Sequence, residues 1–239
     1  MDALSARINS LPVSATLAMA AKARELKNEG IDVIGLSLGE PDFNTPEFIK
    51  DAAIQAVNDN YNSYSPVDGY VDLKQAICTK FKRDNGITYG LDQIVVSTGA
   101  KQSIANICMV LLDPGDEVLL PAPYWVSYSA IATLAEATST IIPSSIETDF
   151  KITPEQLEAA ITPKTKLIMF NSPNNPSGTI YTEAEYRALG KVLAKHPDIY
   201  ILSDEIYEHI NYGTKHFSIA AIPELYDRTI TVNGVAKAF

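Results

Sequence analysis

Residues 165–205, TKLIMFNSPNNPSGTIYTEAEYRALGKVLAKHPDIYILSDE, carry an apolar run, a turn-rich loop, a helix start and a second apolar run, in that order. TKLIMFN (165–171) and IYILSD (199–204) are short apolar runs bounded by turn residues, so both read as buried strands. Between them Thr182 stands three residues before Glu185, the spacing at which hydroxyl and carboxylate cap each other's backbone amides at a helix N-terminus. The same texture extends outward through EVLLP (117–121), STIIP (139–143) and TITVN (229–233), with QIVVS (93–97) ahead of them. Short strands alternating with helical patterns predict an α/β fold with a mostly parallel sheet covered by helices.

The N-terminal part reads differently. Ser14 or Thr16 can cap an Ala-rich helix reaching Glu29, with Gly30 as its stop, and a short strand is expected over 31–37. Thr45 followed by Pro46 opens another helix, and Leu73, Ile77 and Phe81 recur at helical spacing within 71–84. DPGDE (113–117) supplies a turn.

Composition limits the function. The chain has 239 residues, 46% of them apolar, enough for a sizeable core. A net charge of -10 opposes binding to nucleic acid or to anionic membrane surfaces. Cys78 and Cys108 are the two cysteines, too few for a disulfide framework, which points to a reducing cytoplasm. The start MDALSARINSLP has neither the charged nor the apolar region of a secretory signal, and the Ala-rich run after it breaks at Lys22.

Ligands of such sheets collect beyond the carboxyl ends of the strands, and the unusual residues fall there. Gly99 follows QIVVST and precedes a helical stretch whose first amides can hold a phosphate. NSPNNPSG (171–178) follows TKLIMF; by itself it also suits an ordinary turn. Asp204 ends an apolar strand, where it suits a buried partner for a cation, a helix cap or a Mg²⁺ ligand. Lys237 follows TITVNGV among small and apolar residues that favour its neutral amine, although an isolated lysine is more often solvated.

Together SLGEPDF (37–43), STGAKQS (97–103), NSPNNPSG (171–178), LSDEIYEHINY (202–212) and NGVAK (233–237) resemble the class I and II aminotransferases, and especially their bacterial aspartate aminotransferase branch. The resemblance implies a three-layer α/β/α large domain of the pyridoxal-phosphate fold type I. It divides the chain into an arm and small-domain segment over 1–40 and a cofactor-binding domain over 41–239, truncated before a C-terminal small domain. It implies pyridoxal 5'-phosphate as cofactor, with Lys237 as Schiff-base and proton-transfer residue, Asp204 beside the ring nitrogen, and Tyr207 and Asn175 on the phenolic oxygen. Gly99, Ala100 and Lys101 correspond to the phosphate loop, Trp125 to the ring-stacking aromatic, and Tyr64 to a tyrosine reaching the phosphate of a second subunit, hence a homodimer. Gly39 is placed on the substrate α-carboxylate, Thr16 and Lys101 on a distal carboxylate, and Trp125 and Asn175 beside the substrate.

The implied reaction is ping-pong transamination between amino acids and 2-oxo acids, aspartate with 2-oxoglutarate first, within amino-acid biosynthesis. Leu11 and Pro12 stand where some relatives carry a basic residue linked to wider acidic substrates, which speaks against prephenate. The family's arginines for cofactor phosphate and substrate carboxylate lie beyond its lysine, so these 239 residues alone are expected to be an inactive piece of a longer protein. Rival readings are another amino-acid aminotransferase, a β-lyase, or a cofactor-free binding domain. A nucleotide hydrolase lacks the G-x-x-x-x-G-K-[ST] loop, and a dehydrogenase lacks G-x-G-x-x-G. His196, His209 and His216 have no short-spaced ligand partners, so no metal is expected.

Overall fold

The computed structural model describes residues 3–11, 15–35, 39 and 41–239. They form two compact units, Met1–Asn44 and Thr45–Phe239. In the first, helix α1 (Ala6–Asn9) is capped by the Ser5 hydroxyl, which accepts from the Ile8 amide at 3.4 Å. Helix α2 (Ala15–Asn28) ends before Gly30, whose φ of 83° suits a residue without Cβ. Ser14, Pro12 and the side chain of Thr16 lie outside the described residues. The strand expected at 31–37 does not form over 31–35, and 36–38 lie outside the described residues; an apolar extended segment becomes a strand only where a neighbour offers a ladder.

The second unit opens with α3 (Glu47–Asn58), capped by the Pro46 backbone rather than by Thr45, and α4 (Val71–Lys80). α4 continues as a π-turn, Phe81–Asn85, and stops at Gly86 with φ 71°. Helix α5 (Ala100–Leu111) then leads into strand β1 (Glu117–Pro121), α6 (Ser127–Leu134), β2 (Thr138–Ile142), α7 (Pro154–Ala160), β3 (Thr165–Asn171), α8 (Glu183–Leu193), β4 (Tyr200–Asp204) and β5 (Thr229–Val232). The five strands form one parallel sheet in the order β2-β1-β3-β4-β5. The predicted capping box opens α8, with Thr182 Oγ1 accepting from the Glu185 amide and the Glu185 carboxylate from the Thr182 amide.

Alternation along the strands builds two cores, because successive side chains leave opposite faces. Leu119, Ile168, Phe170 and Ile201 pack with Leu157, Tyr186, Leu189 and Leu193 of α7 and α8. Val118, Leu120, Leu167, Met169 and Leu202 pack with Ile104 and Cys108 of α5 and with Tyr128, Ile131 and Ala132 of α6. Helices therefore cover both faces, the three-layer arrangement.

A second expected strand is also absent. QIVVS forms the end of a 3₁₀ turn (Leu91–Gln93) followed by extended chain outside the sheet. The Val96 amide donates to the Asp68 carbonyl at 3.1 Å, and Val96 packs so close to Gly69 that a Cβ there would lie 2.5 Å from Val96 Cγ2. Its β-branched residues pack against a turn, which asks for the same composition as a strand.

Candidate active site

β2 and β3 lie on opposite sides of β1, so the order of winding reverses between β1 and β3, and the loops leaving their carboxyl ends diverge around a crevice. The loop after β1 carries Trp125; the loop after β3 is NSPNNPSG. Asn174 Nδ2 joins them by donating to the Pro123 carbonyl at 3.2 Å. Within the second loop, Asn174 Oδ1 accepts from the Ser177 amide and hydroxyl at 3.0 and 2.8 Å, and Gly178 takes φ 73°.

Asp204 ends β4 two residues after Leu202, so its side chain shares the α5/α6 face, where Tyr128 stands. It is 3% exposed. Its carboxylate accepts from the Tyr128 hydroxyl at 2.6 Å and from the Ile206 amide at 3.2 Å. Burial pushes its pKa up to about 6; those two hydrogen bonds pull it down and the Glu205 charge pushes it up. Burial and the Asp204 charge hold the Tyr128 hydroxyl well above its ordinary value, so it remains a donor. A buried carboxylate held by two neutral donors is a ready partner for a cation brought by a ligand.

Asn175 and Tyr207 meet, Nδ2 to hydroxyl, at 3.4 Å. Burial raises the Tyr207 pKa, while the Asn175 contact lowers it. Trp125 packs edge-to-face on Tyr128, centroids 5.5 Å apart, and Lys101 Nζ stands 4.9 Å from the Trp125 ring centre, a cation–π contact. Contacts thus run from Lys101 through Trp125 and Tyr128 to Asp204. Tyr128 is absent from the sequence reading, although it lies three residues past Trp125, where one helical turn brings both onto a common side.

Gly99 precedes α5 with φ 88° and no atom within 4 Å of where its Cβ would stand, leaving an open cradle at the helix start. Lys237 is half-buried in the turn 236–238 after β5, and β5 pairs Val232 with Asp204 of β4, so lysine and aspartate emerge from the same end of adjacent strands. Tyr64 is fully exposed between α3 and α4. Gly39 and Thr16 belong to the first unit.

Two groupings of acids with histidine occur among the described residues, Asp84–Glu208–His209 and Glu205–Glu208–His216, beside an open hollow of about 570 Å³. Their oxygens are already engaged. Glu205 accepts from Ser203, Ser218 and His216, and Glu208 from Lys80, Asn85 and Asn233. No described helix is long and apolar enough to cross a membrane.

The fold is a parallel α/β sheet with a buried acid, an amide-bearing loop and a lysine at its carboxyl edge, and comparison with known proteins gives the family. A family model described as aminotransferase class I and II matches residues 31–239. The chain is 50% identical to a probable aspartate/prephenate aminotransferase of Rickettsia bellii, covering 100% of this chain and 60% of that protein. It is 51% identical to an aspartate/prephenate aminotransferase of Cereibacter sphaeroides, again over 100% and 60%. The crystal structure of an aspartate aminotransferase from Rhizobium meliloti superposes with TM-score 0.95 at 48% identity, over 99% of this chain and 60% of that one. That of a Thermus thermophilus aspartate aminotransferase with maleate gives 0.95 at 42%, over 100% and 62%. The chain belongs to the class I and II aminotransferases. It spans about 60% of the length of the curated relatives it matches.

Proposed function

We propose that this chain is the cofactor-binding part of a pyridoxal-phosphate-dependent aminotransferase acting on aspartate and 2-oxoglutarate by a ping-pong mechanism. The observation that carries this reading is Asp204, a buried carboxylate with pKa about 6 at a strand end, beside Tyr128, Trp125, Asn175 and Tyr207. A charge so costly to bury is retained where it serves a cationic ligand. Bound pyridoxal phosphate supplies an electron-withdrawing ring that makes the substrate's α-proton acidic.

The chain's residues fit that group in chemistry. Asp204 carries the negative charge against a protonated ring nitrogen, and Asn175 and Tyr207 donate to the phenolic oxygen. The amides at Gly99, Ala100 and Lys101, at the start of α5, take the phosphate, helped by the helix dipole. Trp125 covers one ring face and keeps water out. Lys237 would hold the cofactor covalently, and its Nζ would serve as the general base that takes the proton from the substrate's α-carbon. Lys101 takes the substrate's distal carboxylate, with Trp125 and Asn175 beside the substrate.

A homodimer belongs to the same proposal, Tyr64 reaching the phosphate held by the second subunit; its complete exposure leaves it available for this. So does a reducing cytoplasm, with Cys78 and Cys108 buried as thiols. The test is Lys237→Ala in the longest available form of the protein, beside its wild type: it should bind pyridoxal phosphate without forming a borohydride-reducible adduct and release no oxaloacetate from aspartate. Normal turnover in that variant would discard the reading. Prephenate, which relatives' names include, is assayed beside 2-oxoglutarate as amino acceptor.

A further inference from the structure

Asn171 ends β3 directly opposite Asp204 in the β3–β4 register, and it is buried, with 5% of its surface exposed. Its Oδ1 accepts from the Asn175 amide at 2.7 Å, and its Nδ2 donates to the Asp204 carbonyl at 2.9 Å. One short side chain thereby ties together two segments that are far apart in sequence. The Asn175 segment also leads, through the 3.4 Å contact, to Tyr207. The adjacent Ser172 amide donates to the same Asp204 carbonyl at 3.2 Å, so this end of β4 is held twice from β3.

We propose that Asn171 is a positioning residue for catalysis. It holds the Asn175 side chain, facing Tyr207, at a set distance from the Asp204 carboxylate, so that acid and amide would engage two positions of one ring simultaneously. This rests on the proposed pyridoxal-phosphate function. The geometry accounts for the choice of residue: a carboxamide offers, on two separate atoms of one carbon, an acceptor to one backbone amide and a donor to one backbone carbonyl. Aspartate lacks the donor, leucine lacks both, and glutamine is one methylene longer in a buried place. The residue itself faces backbone, not ligand, so it acts through Asp204 and Asn175.

The test compares wild-type holoenzyme with Asn171→Ala and Asn171→Asp by three readouts: amide hydrogen exchange at Asn175 without cofactor, the pH midpoint of the bound cofactor's absorption, and kcat against KM. In Asn171→Ala, exchange at Asn175 should accelerate by on the order of tenfold or more, as expected when a buried hydrogen bond is lost. Its kcat should fall by about 10- to 100-fold, as for displacements near 1 Å, with KM for aspartate changed by less than about threefold. The absorption midpoint should move as well. In Asn171→Asp the acceptor survives, so protection at Asn175 should stay near wild type while kcat falls and the midpoint shifts; this variant separates positioning from loss of folding.

Wild-type exchange at Asn175 in both variants would overturn the clamp. Accelerated exchange in Asn171→Ala with kcat and midpoint unchanged would make Asn171 a loop staple and overturn its catalytic role. Failure of the wild type to bind pyridoxal phosphate would remove the parent function and the catalytic role together, and the exchange measurement would still show whether the clamp exists.

Discussion

Asp204→Asn should make the cofactor-free protein more stable at neutral pH while disabling it. The folded carboxyl has a pKa of about 6 against 3.8 in the unfolded chain. Between those values the native state holds a proton that the unfolded state has released, so stability falls as pH rises from about 4 to 6 and then levels off. A gap of about two pK units corresponds to about 3 kcal/mol of native-state cost at pH 7.5. The asparagine bears no charge. Its Oδ1 can keep the Ile206 amide, and its Nδ2 can donate to the Tyr128 hydroxyl, which accepts as readily as it donates. The variant should therefore gain up to about 3 kcal/mol at pH 7.5, about 6–12 °C in Tm for a chain of this size. The gain should shrink to nothing near pH 4, where both side chains are neutral. Thermal or urea unfolding without cofactor, from pH 4 to 8, gives the answer. Parallel pH profiles for the two proteins, or a less stable variant at pH 7.5, would refute the assignment of a costly buried charge. Turnover should fall about 100-fold or more, because the negative partner of the ring nitrogen is gone.

Tyr128→Phe removes the 2.6 Å bond that holds Asp204 ionised, so its pKa should rise above 6. Pyridoxal-phosphate affinity, read by Trp125 fluorescence, should then begin to weaken at a higher pH than in the wild type as the medium is acidified; an unchanged midpoint would contradict the role. Arg228 donates to the Leu193, His196 and Ile199 carbonyls at 2.7, 2.9 and 2.7 Å, at the amino end of β4 and away from the site. Arg228→Met should cost about 2–3 kcal/mol in urea unfolding and leave cofactor affinity unchanged. Gly99→Ala meets no neighbouring atom, so its cost should come from the backbone conformation, φ 88° and ψ 158°, about 1–3 kcal/mol, with a weaker phosphate contact measured as a higher Kd for pyridoxal phosphate.

Most of the sheet was legible in the chain because buried parallel strands are written as short apolar runs between turns, and EVLLP, STIIP, TKLIMFN, IYILSD and TITVN each became a strand to within one residue at either end. The Thr182–Glu185 cap was legible for a similar reason: it depends on residues three apart. QIVVS and 31–35 were not, since apolar extended chain looks alike whether it finds a ladder or packs on a turn such as Asp68–Gly69.

The residue types of the site and their order along the chain were likewise set locally, by turn chemistry after strands. What only the folded chain decided was the company each residue keeps. Tyr128 bonds Asp204, and Asn171 bridges Asp204 and Asn175, because parallel register sets β3 against β4 and strand alternation turns Asp204 toward α6. Such pairings depend on separations in space that no local pattern encodes. So does the pKa near 6, which comes from the neighbours that exclude water from Asp204.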